Sequence, residues 1–355
     1  MTTQNQLALL SSLPKIDYSK HNKLLIEANR QIAILKGACY GMPNPELLLS
    51  PTVLREAIAS SEIENIATTL VDVLQAQLYA EPEQQPADKE VIRYNKALNN
   101  GLHELKSVPL GNRIINTVHD TLMPSQPGYR RNQNQIVNTM TKEILYTPPS
   151  ANNIPEYISD LEKFIHGNED IDPVIKTIVS HYQFEAIHPF GDGNGRTGRI
   201  LMVLCLITYE LLDLPVLFVS GYINANKSDY YRVLRGVTEK ADWDSYIHYM
   251  LTAFEVQARN STDMLLKIKN LHEELKRKIR NEVPKIYSRD LIDVIFNLPI
   301  ITPTAYAEKM GVTYQTGSTH LKSLEKIGVM SSFRYSRYLF FANSALLTLL
   351  NDTSN

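Results

Sequence analysis

The chain of 355 residues lacks most of the features that narrow a role quickly. It has only two cysteines, Cys39 and Cys205, and neither has a partner at CxxC spacing. That argues against a disulfide framework or a structural zinc site and favours two core thiols in a reducing cytoplasm. Neither sign of charge dominates: 36 Lys and Arg against 38 Asp and Glu leave a net of −2. No global field then draws the protein to nucleic acid or to an anionic membrane. The longest apolar run, ILMVLCLI at 200–207, is far too short to cross a bilayer. MTTQNQLALLSSLPK at the start lacks a basic region followed by a long apolar one, so no secretory signal is expected. No GxxxxGK[ST] occurs, which removes the P-loop. Glycine is scarce, at 15 residues, so a cluster of it stands out.

What is present suits an ordinary globular protein of about two domains: 43% hydrophobic and 21% charged residues. Strand signals are few, and most segments carry apolar residues at helical spacing, so the expected class is mainly α. Asp172-Pro173 reads as an N-cap followed by proline at the first helical position. Ser50-Pro51 repeats that signature before TVLREAIASSEIENIATTLVDVLQAQ and predicts one helix over about 51–77. One hairpin interrupts the helices, with runs at Gln135–Asn138 and Ile144–Tyr146 around a polar turn.

The glycine cluster is HPFGDGNGRTGR, residues 188–199, which holds four glycines in twelve positions. Glycine lets backbone approach a ligand and adopt left-handed turns. Gly193-Asn194-Gly195 opens a helix, whose N-terminal amides and dipole suit phosphate. Arg196 and Arg199 lie three apart near one face of that helix. The residues after them are almost all apolar, so the helix should be buried and its arginines need an anion. Asp192, just before the turn, is the kind of single carboxylate that holds Mg²⁺ beside phosphates. His188 can take a proton from an attacking hydroxyl near neutral pH. Together these are the parts for transfer of a phosphorus-centred group. Read alone, GNG is equally a tight turn, and His188 with Asp192 equally a structural pair. His181, on the preceding helix, reads as a packed, hydrogen-bonded core histidine.

HPFGDGNGRTGR fits the HPFx[D/E]GNGRxxR signature throughout, and the chain on this ground resembles the Fic (filamentation induced by cAMP) family. The resemblance implies a helical bundle with a β-hairpin flap ahead of the signature. It also implies transfer of AMP from ATP to a Ser, Thr or Tyr hydroxyl of a protein. His188 would be the general base, Asp192 the Mg²⁺ ligand and Phe190 the residue that anchors the loop in the core. Gly193, Asn194 and Gly195 would form the anion hole for the α- and β-phosphates, Arg196 would assist there, and Arg199 would meet the γ-phosphate. The 135–149 hairpin would clamp the target through its main chain. Tyr230 and Tyr231, in NKSDYYRVL, resemble a pair near the adenine pocket of relatives and equally a packed pair on a helix.

A second resemblance lies upstream. In SSEIEN, residues 60–65, Ser60 and Glu64 are four apart and share a helix face. Alone this is an ordinary solvated face. Ahead of a full Fic signature, Ser60, Glu64 and Asn65 resemble the [S/T]xxxE[G/N] inhibitory motif. The resemblance implies that Glu64 pairs with Arg199 where the γ-phosphate would sit, so that the resting protein transfers slowly. In some relatives the Glu supports removal of AMP instead.

The C-terminal part differs in character. Met264–Arg289 holds eight Lys and Arg against three Glu and reads as a basic linker helix. Beyond it, Thr302-Pro303 starts a helix that Gly311 ends, and Thr313 caps the next. Two short helices and a strand–turn–strand resemble a winged helix. Its five basic and five acidic residues make no basic face, so DNA, dimerisation and partner docking all stand as roles. The expected layout is an N-terminal helical region at 1–110 with the inhibitory helix, a catalytic core at 111–262, a linker helix at 263–289 and a winged-helix-like domain at 290–355. The leading function is an autoinhibited AMP transferase that modifies a protein target and itself, with a homodimer as a further expectation. The alternatives are a nucleotide-sensing DNA-binding regulator, removal of AMP, or transfer of another phosphorus-linked group.

Overall fold

The computed structural model describes residues 7–13, 16–42, 45–79, 83–137, 141–167, 170–335 and 337–351. The chain runs through α1 (Asn22–Tyr40), α2 (Pro45–Ile63), α3 (Leu70–Ala76), α4 (Pro86–Leu105) and α5 (Asn112–Leu122). The strands β1 (Ile136–Val137) and β2 (Ile144–Tyr146) follow, then α6 (Ile154–His166), α7 (Pro173–Ile187), α8 (Asn194–Thr208), α9 (Ser220–Ala225), α10 (Lys227–Lys240) and α11 (Trp243–Glu282). The last elements are α12 (Arg289–Asn297), β3 (Ile300–Ile301), α13 (Pro303–Met310), α14 (Tyr314–Lys326), β4 (Ser331–Tyr335), β5 (Tyr338–Ala342) and α15 (Ser344–Asn351). The protein is mainly helical with small antiparallel sheets, the class expected from its periodicity. No described helix is long and apolar enough to cross a membrane.

Two compact units divide the chain, Met1–Ala33 with Arg93–Ala258 and Ile34–Ile92 with Arg259–Asn355. These boundaries fall inside the helices α1, α4 and α11. The basic stretch after Met264 is the second half of the 40-residue α11, not a helix of its own.

The first unit is built around α7 and α8. Both are buried along nearly their whole length, as helices apolar on all sides should be. α6 packs on α7, and α5 packs on α8. Asp172 caps α7 by accepting from the Val174 amide at 2.8 Å, with Pro173 in the first turn. Cys205 is buried here, and burial pushes its thiol up to about 12. The hairpin pairs Ile136 with Tyr146 and Val137 with Ile144, with an irregularity between. β1 is thus shorter than the run Gln135–Asn138, and Asn138 lies outside the described residues.

The second unit joins the helix bearing SSEIEN to the C-terminal elements. α2 packs on α12 and α15, and α3 packs on β3. The Tyr79 ring, just after α3, meets Tyr338 at 5.2 Å and Phe340 at 6.1 Å between centroids. Arg337 donates to Glu83 at 2.7 Å. The three-stranded sheet has the order β3-β5-β4. Its strand β3, two residues of NLPIITP, was not foreseen. The capping signatures hold: the Thr302 and Thr313 hydroxyls accept from Ala305 and Thr316, and Gly311 ends α13 at φ 63°.

The helix expected over about 51–77 differs in two ways. It starts at Pro45, so Pro51 is an interior residue and not the first helical one. An interior proline costs about 3 kcal/mol, which burial of Val53, Leu54 and Ala57 offsets. It also breaks between α2 and α3. Asn65 takes φ 64°, and the Ile66 amide reaches back to the Ser61 carbonyl at 3.0 Å. That is a Schellman stop, in which Asn tolerates the left-handed turn that most side chains resist. Thr69 then caps α3 by accepting from the Asp72 amide.

Candidate active site

The motif loop joins the end of α7 to the start of α8. His188 is the C-cap of α7 and sits in the left-handed region at φ 48°, ψ 58°. A non-glycine residue there is uncommon and is held by its surroundings. The helix would otherwise continue through His188; the turn instead carries the imidazole out of the buried helix, where it is half-buried. Phe190, two residues on, is fully buried. Its ring stacks face to face on His119 of α5, with centroids 3.6 Å apart and planes 1° apart. Phe190 therefore anchors the loop from below and does not line a ligand surface.

Asn194 supplies the second anchor. Its Oδ1 accepts from the Phe190 amide at 2.9 Å, and its Nδ2 donates to the Phe190 carbonyl at 3.0 Å. The side chain closes the loop on itself through both of its polar atoms. His119 adds a third tie, with Nε2 to the Asp192 carbonyl at 3.1 Å. Burial lowers the pKa of His119, against the pull of Asp120. That favours the neutral ring stacked on Phe190.

Gly193 is the left-handed N-cap of α8, at φ 74°. A Cβ built there would lie 2.9 Å from Met123 Cγ, so only glycine fits both the turn and the neighbour. The amides of the first turn of α8 have no intrahelical acceptors and carry the positive end of the dipole. Asp192 is exposed beside them and accepts from the Gly193 amide at 2.6 Å. Arg196 is buried, 3.9 Å from Asp192 Oδ1, and its Nη2 contacts Met123 Sδ at 3.6 Å. Arg199 lies one turn further on and is 2% exposed. A guanidinium that deep is stable only beside acceptors or an anion.

These residues fit a Mg²⁺–polyphosphate. Among the described residues no group of three or more His, Cys, Asp or Glu could cage a metal ion. Mg²⁺ bound with a nucleotide needs no such cage, because one carboxylate, phosphate oxygens and waters complete its octahedron. The exposed Asp192 beside the helix N-terminus offers one such carboxylate.

Other residues fall elsewhere. His181 is buried and meets the Tyr230 hydroxyl at 2.9 Å. Burial, and then the charge of Arg199, pushes it down to about 3, so it is a neutral core imidazole as expected. Tyr230 is buried with its hydroxyl engaged there, whereas Tyr231 is partly exposed. Ser60 is fully buried, Glu64 half-buried and Asn65 the exposed left-handed cap at the end of α2.

Sequence reasoning missed His119 and Arg130. Arg130 donates from Nε to the His188 carbonyl at 2.9 Å, and its amide donates to the Pro189 carbonyl at 2.9 Å. In PGYRRNQ nothing separates Arg130, which is buried, from Arg131, which is exposed. Only the fold distinguishes them.

Comparison with known proteins agrees with this architecture. Three family models match in succession: "Fic/DOC family N-terminal" over 22–103, "Fic/DOC family" over 109–206, and "Protein adenylyltransferase SoFic-like, C-terminal domain" over 271–346. The chain belongs to the Fic family. A protein of Aquifex aeolicus named "Probable protein adenylyltransferase" is 28% identical over 179 residues, 48% of this chain and 52% of that one. Protein adenylyltransferase fic-1 of Caenorhabditis elegans is 28% identical over 109 residues, 30% of this chain and 20% of that one. The matches thus span about half the length of the first relative and a fifth of the second. Among solved structures, a Fic family protein from Desulfovibrio desulfuricans superposes with a TM-score of 0.57 at 22% identity, covering 93% of this chain and 98% of that one. A Fic-domain signalling protein from Bacteroides thetaiotaomicron gives 0.54 at 18%, covering 69% and 97%. The relatives' names support a nucleotidyltransferase-type Fic enzyme.

Proposed function

We propose that this protein transfers AMP from ATP to a hydroxyl of a protein side chain. The observation that carries the reading is the motif loop, with a left-handed His188 at one end and the N-terminus of α8 with two buried arginines at the other. The first-turn amides of α8 and Arg196 would hold the α- and β-phosphates, and Arg199 the γ-phosphate. Mg²⁺ held by Asp192 would neutralise charge on the phosphates. His188 would take the hydroxyl proton as the oxygen bonds to the α-phosphorus. The bridging α–β P–O bond breaks, and diphosphate leaves. The hairpin at 135–149 would present the target, and Tyr231 offers a partly exposed ring for the base.

Glu64 would restrain this reaction by pairing with Arg199 in place of the γ-phosphate. The resemblance of SSEIEN to the inhibitory motif supports that assignment. The helix that bears the motif shares a compact unit with the C-terminal module, which resembles a winged helix. A partner of that module, DNA or protein, would therefore act close to the restraint.

The test is incubation with α-labelled ATP and Mg²⁺, followed by a gel. The Glu64→Gly variant should label itself or a target well above wild type, and adding His188→Ala should abolish the label. Equal labelling of wild type and Glu64→Gly refutes the restraint. Undiminished label with His188→Ala refutes the base.

A further inference from the structure

One buried guanidinium joins the hairpin to the motif loop. Arg130 Nη1 donates to the Asn132 carbonyl at 3.1 Å and Nη2 to the Pro149 carbonyl at 2.5 Å. Asn132 lies just ahead of the 135–149 hairpin and Pro149 ends it. The remaining nitrogen, Nε, donates to the carbonyl of His188 at 2.9 Å. A single rigid plane thus fixes three carbonyls from three stretches of chain. The backbone amide of Arg130 adds a fourth tie, to Pro189. The acceptor at His188 lies at the C-terminal end of α7, where a cation is favoured by the dipole. Two further bonds brace the same junction: Gln133 Nε2 to the Pro148 carbonyl at 2.8 Å, and the Tyr146 hydroxyl to the Ala186 carbonyl at 2.7 Å.

We infer that Arg130 is a positioning residue, which sets the distance and angle between a segment paired along the hairpin and the imidazole of His188. Arg130 would act through these carbonyls and not by contact with nucleotide or target. It holds His188 in its left-handed turn and the two hairpin ends in one frame, so a hydroxyl presented by the hairpin arrives in line with the base. The inference rests on the proposed AMP transfer. Lysine cannot replace arginine in this role, because an ammonium is a point donor without a planar fork.

The test uses the full chain carrying Glu64→Gly, alone and with Arg130→Gln or Arg130→Lys. Self-labelling by α-labelled ATP is measured against ATP concentration. The saturating rate should fall roughly 100-fold with Arg130→Gln, the scale expected of a misplacement near 1 Å. The half-saturating ATP concentration should stay within about threefold, because the phosphate cradle is on α8. Arg130→Lys, assayed well below its melting temperature, should still lose at least about tenfold in rate. A parental rate in Arg130→Lys overturns the inference. So does a rise in half-saturation that matches the loss in rate, which marks a general collapse of the loop. Hydrogen exchange gives a readout independent of catalysis: Arg130→Gln should raise exchange at 132–137, 141–149 and 188–193 together, and unchanged exchange in either part overturns the tether. If the Glu64→Gly parent takes no label, the reaction reading fails and the transfer role with it, while exchange still judges the tether.

Discussion

Asn194→Ala tests whether the motif loop is held by its own asparagine. Both hydrogen bonds of the side chain are buried, one from the Phe190 amide at 2.9 Å and one to its carbonyl at 3.0 Å. Alanine strands both backbone groups, each in a site that water does not reach. A stranded buried group costs about 1–3 kcal/mol, and partial relaxation of the loop lowers the sum to about 2–4 kcal/mol. In a unit of roughly 200 residues, about 1 kcal/mol moves Tm by about 2–4 °C. The transition should therefore fall by about 4–16 °C. The single tryptophan, Trp243, packs edge-on against Tyr182 in this same unit and reports its unfolding by fluorescence. Asn194→Asp sharpens the test. It keeps an acceptor for the Phe190 amide but sets an oxygen against the Phe190 carbonyl, so it should be no more stable than alanine. Label from ATP should fall in both variants, because Phe190 and His188 belong to the same turn. A melt of Asn194→Ala within about 1 °C of the parent, with labelling intact, refutes the account.

Stability should also depend on pH through His181. Its folded pKa is held down near 3 by burial, whereas the unfolded ring titrates near 6.5. The unfolded chain thus gains a proton that the fold excludes, and stability present above about pH 6.5 is lost as pH falls. The loss is about 1.4 kcal/mol per pH unit, or roughly 2 kcal/mol at pH 5. Burial shifts His119 in the same direction. His181→Gln should flatten the fall in urea midpoint between pH 7.5 and 5, and an unchanged slope refutes the assignment. At the end of α2, Asn65→Gly should be as stable as the parent, because φ 64° suits glycine. Asn65→Val should lose about 1–2 kcal/mol, read by urea unfolding followed by circular dichroism; equal stability of the two variants refutes the left-handed cap.

Much of the site was legible because its chemistry is local. HPFGDGNGRTGR carries its histidine, carboxylate, glycines and arginines within twelve residues, and turn geometry alone brings them together. The caps at Asp172, Thr302 and Thr313 were legible for the same reason, since each acts on amides two or three residues away. Pro51 misled because a cap signature is only a local preference, and burial of the surrounding helix outweighed it. The double role of Asn194 was half legible. The resemblance to the Fic signature implied a place at the anion hole, but only the tertiary structure shows the side chain bonded to Phe190.

The sequence by itself determined the mainly helical class and the motif loop with its order of charges. Each depends on periodicity or on neighbours a turn away. The tertiary structure decided which residues brace that loop and which part of the chain the SSEIEN helix joins. His119 reaches Asp192 across 73 positions, and Arg130 reaches His188 across 58. The same holds for α2, which packs on α12 and α15 and so shares a core with the C-terminal elements. Contacts over such separations leave no periodic trace, because what selects them is the packing of distant helices against one another.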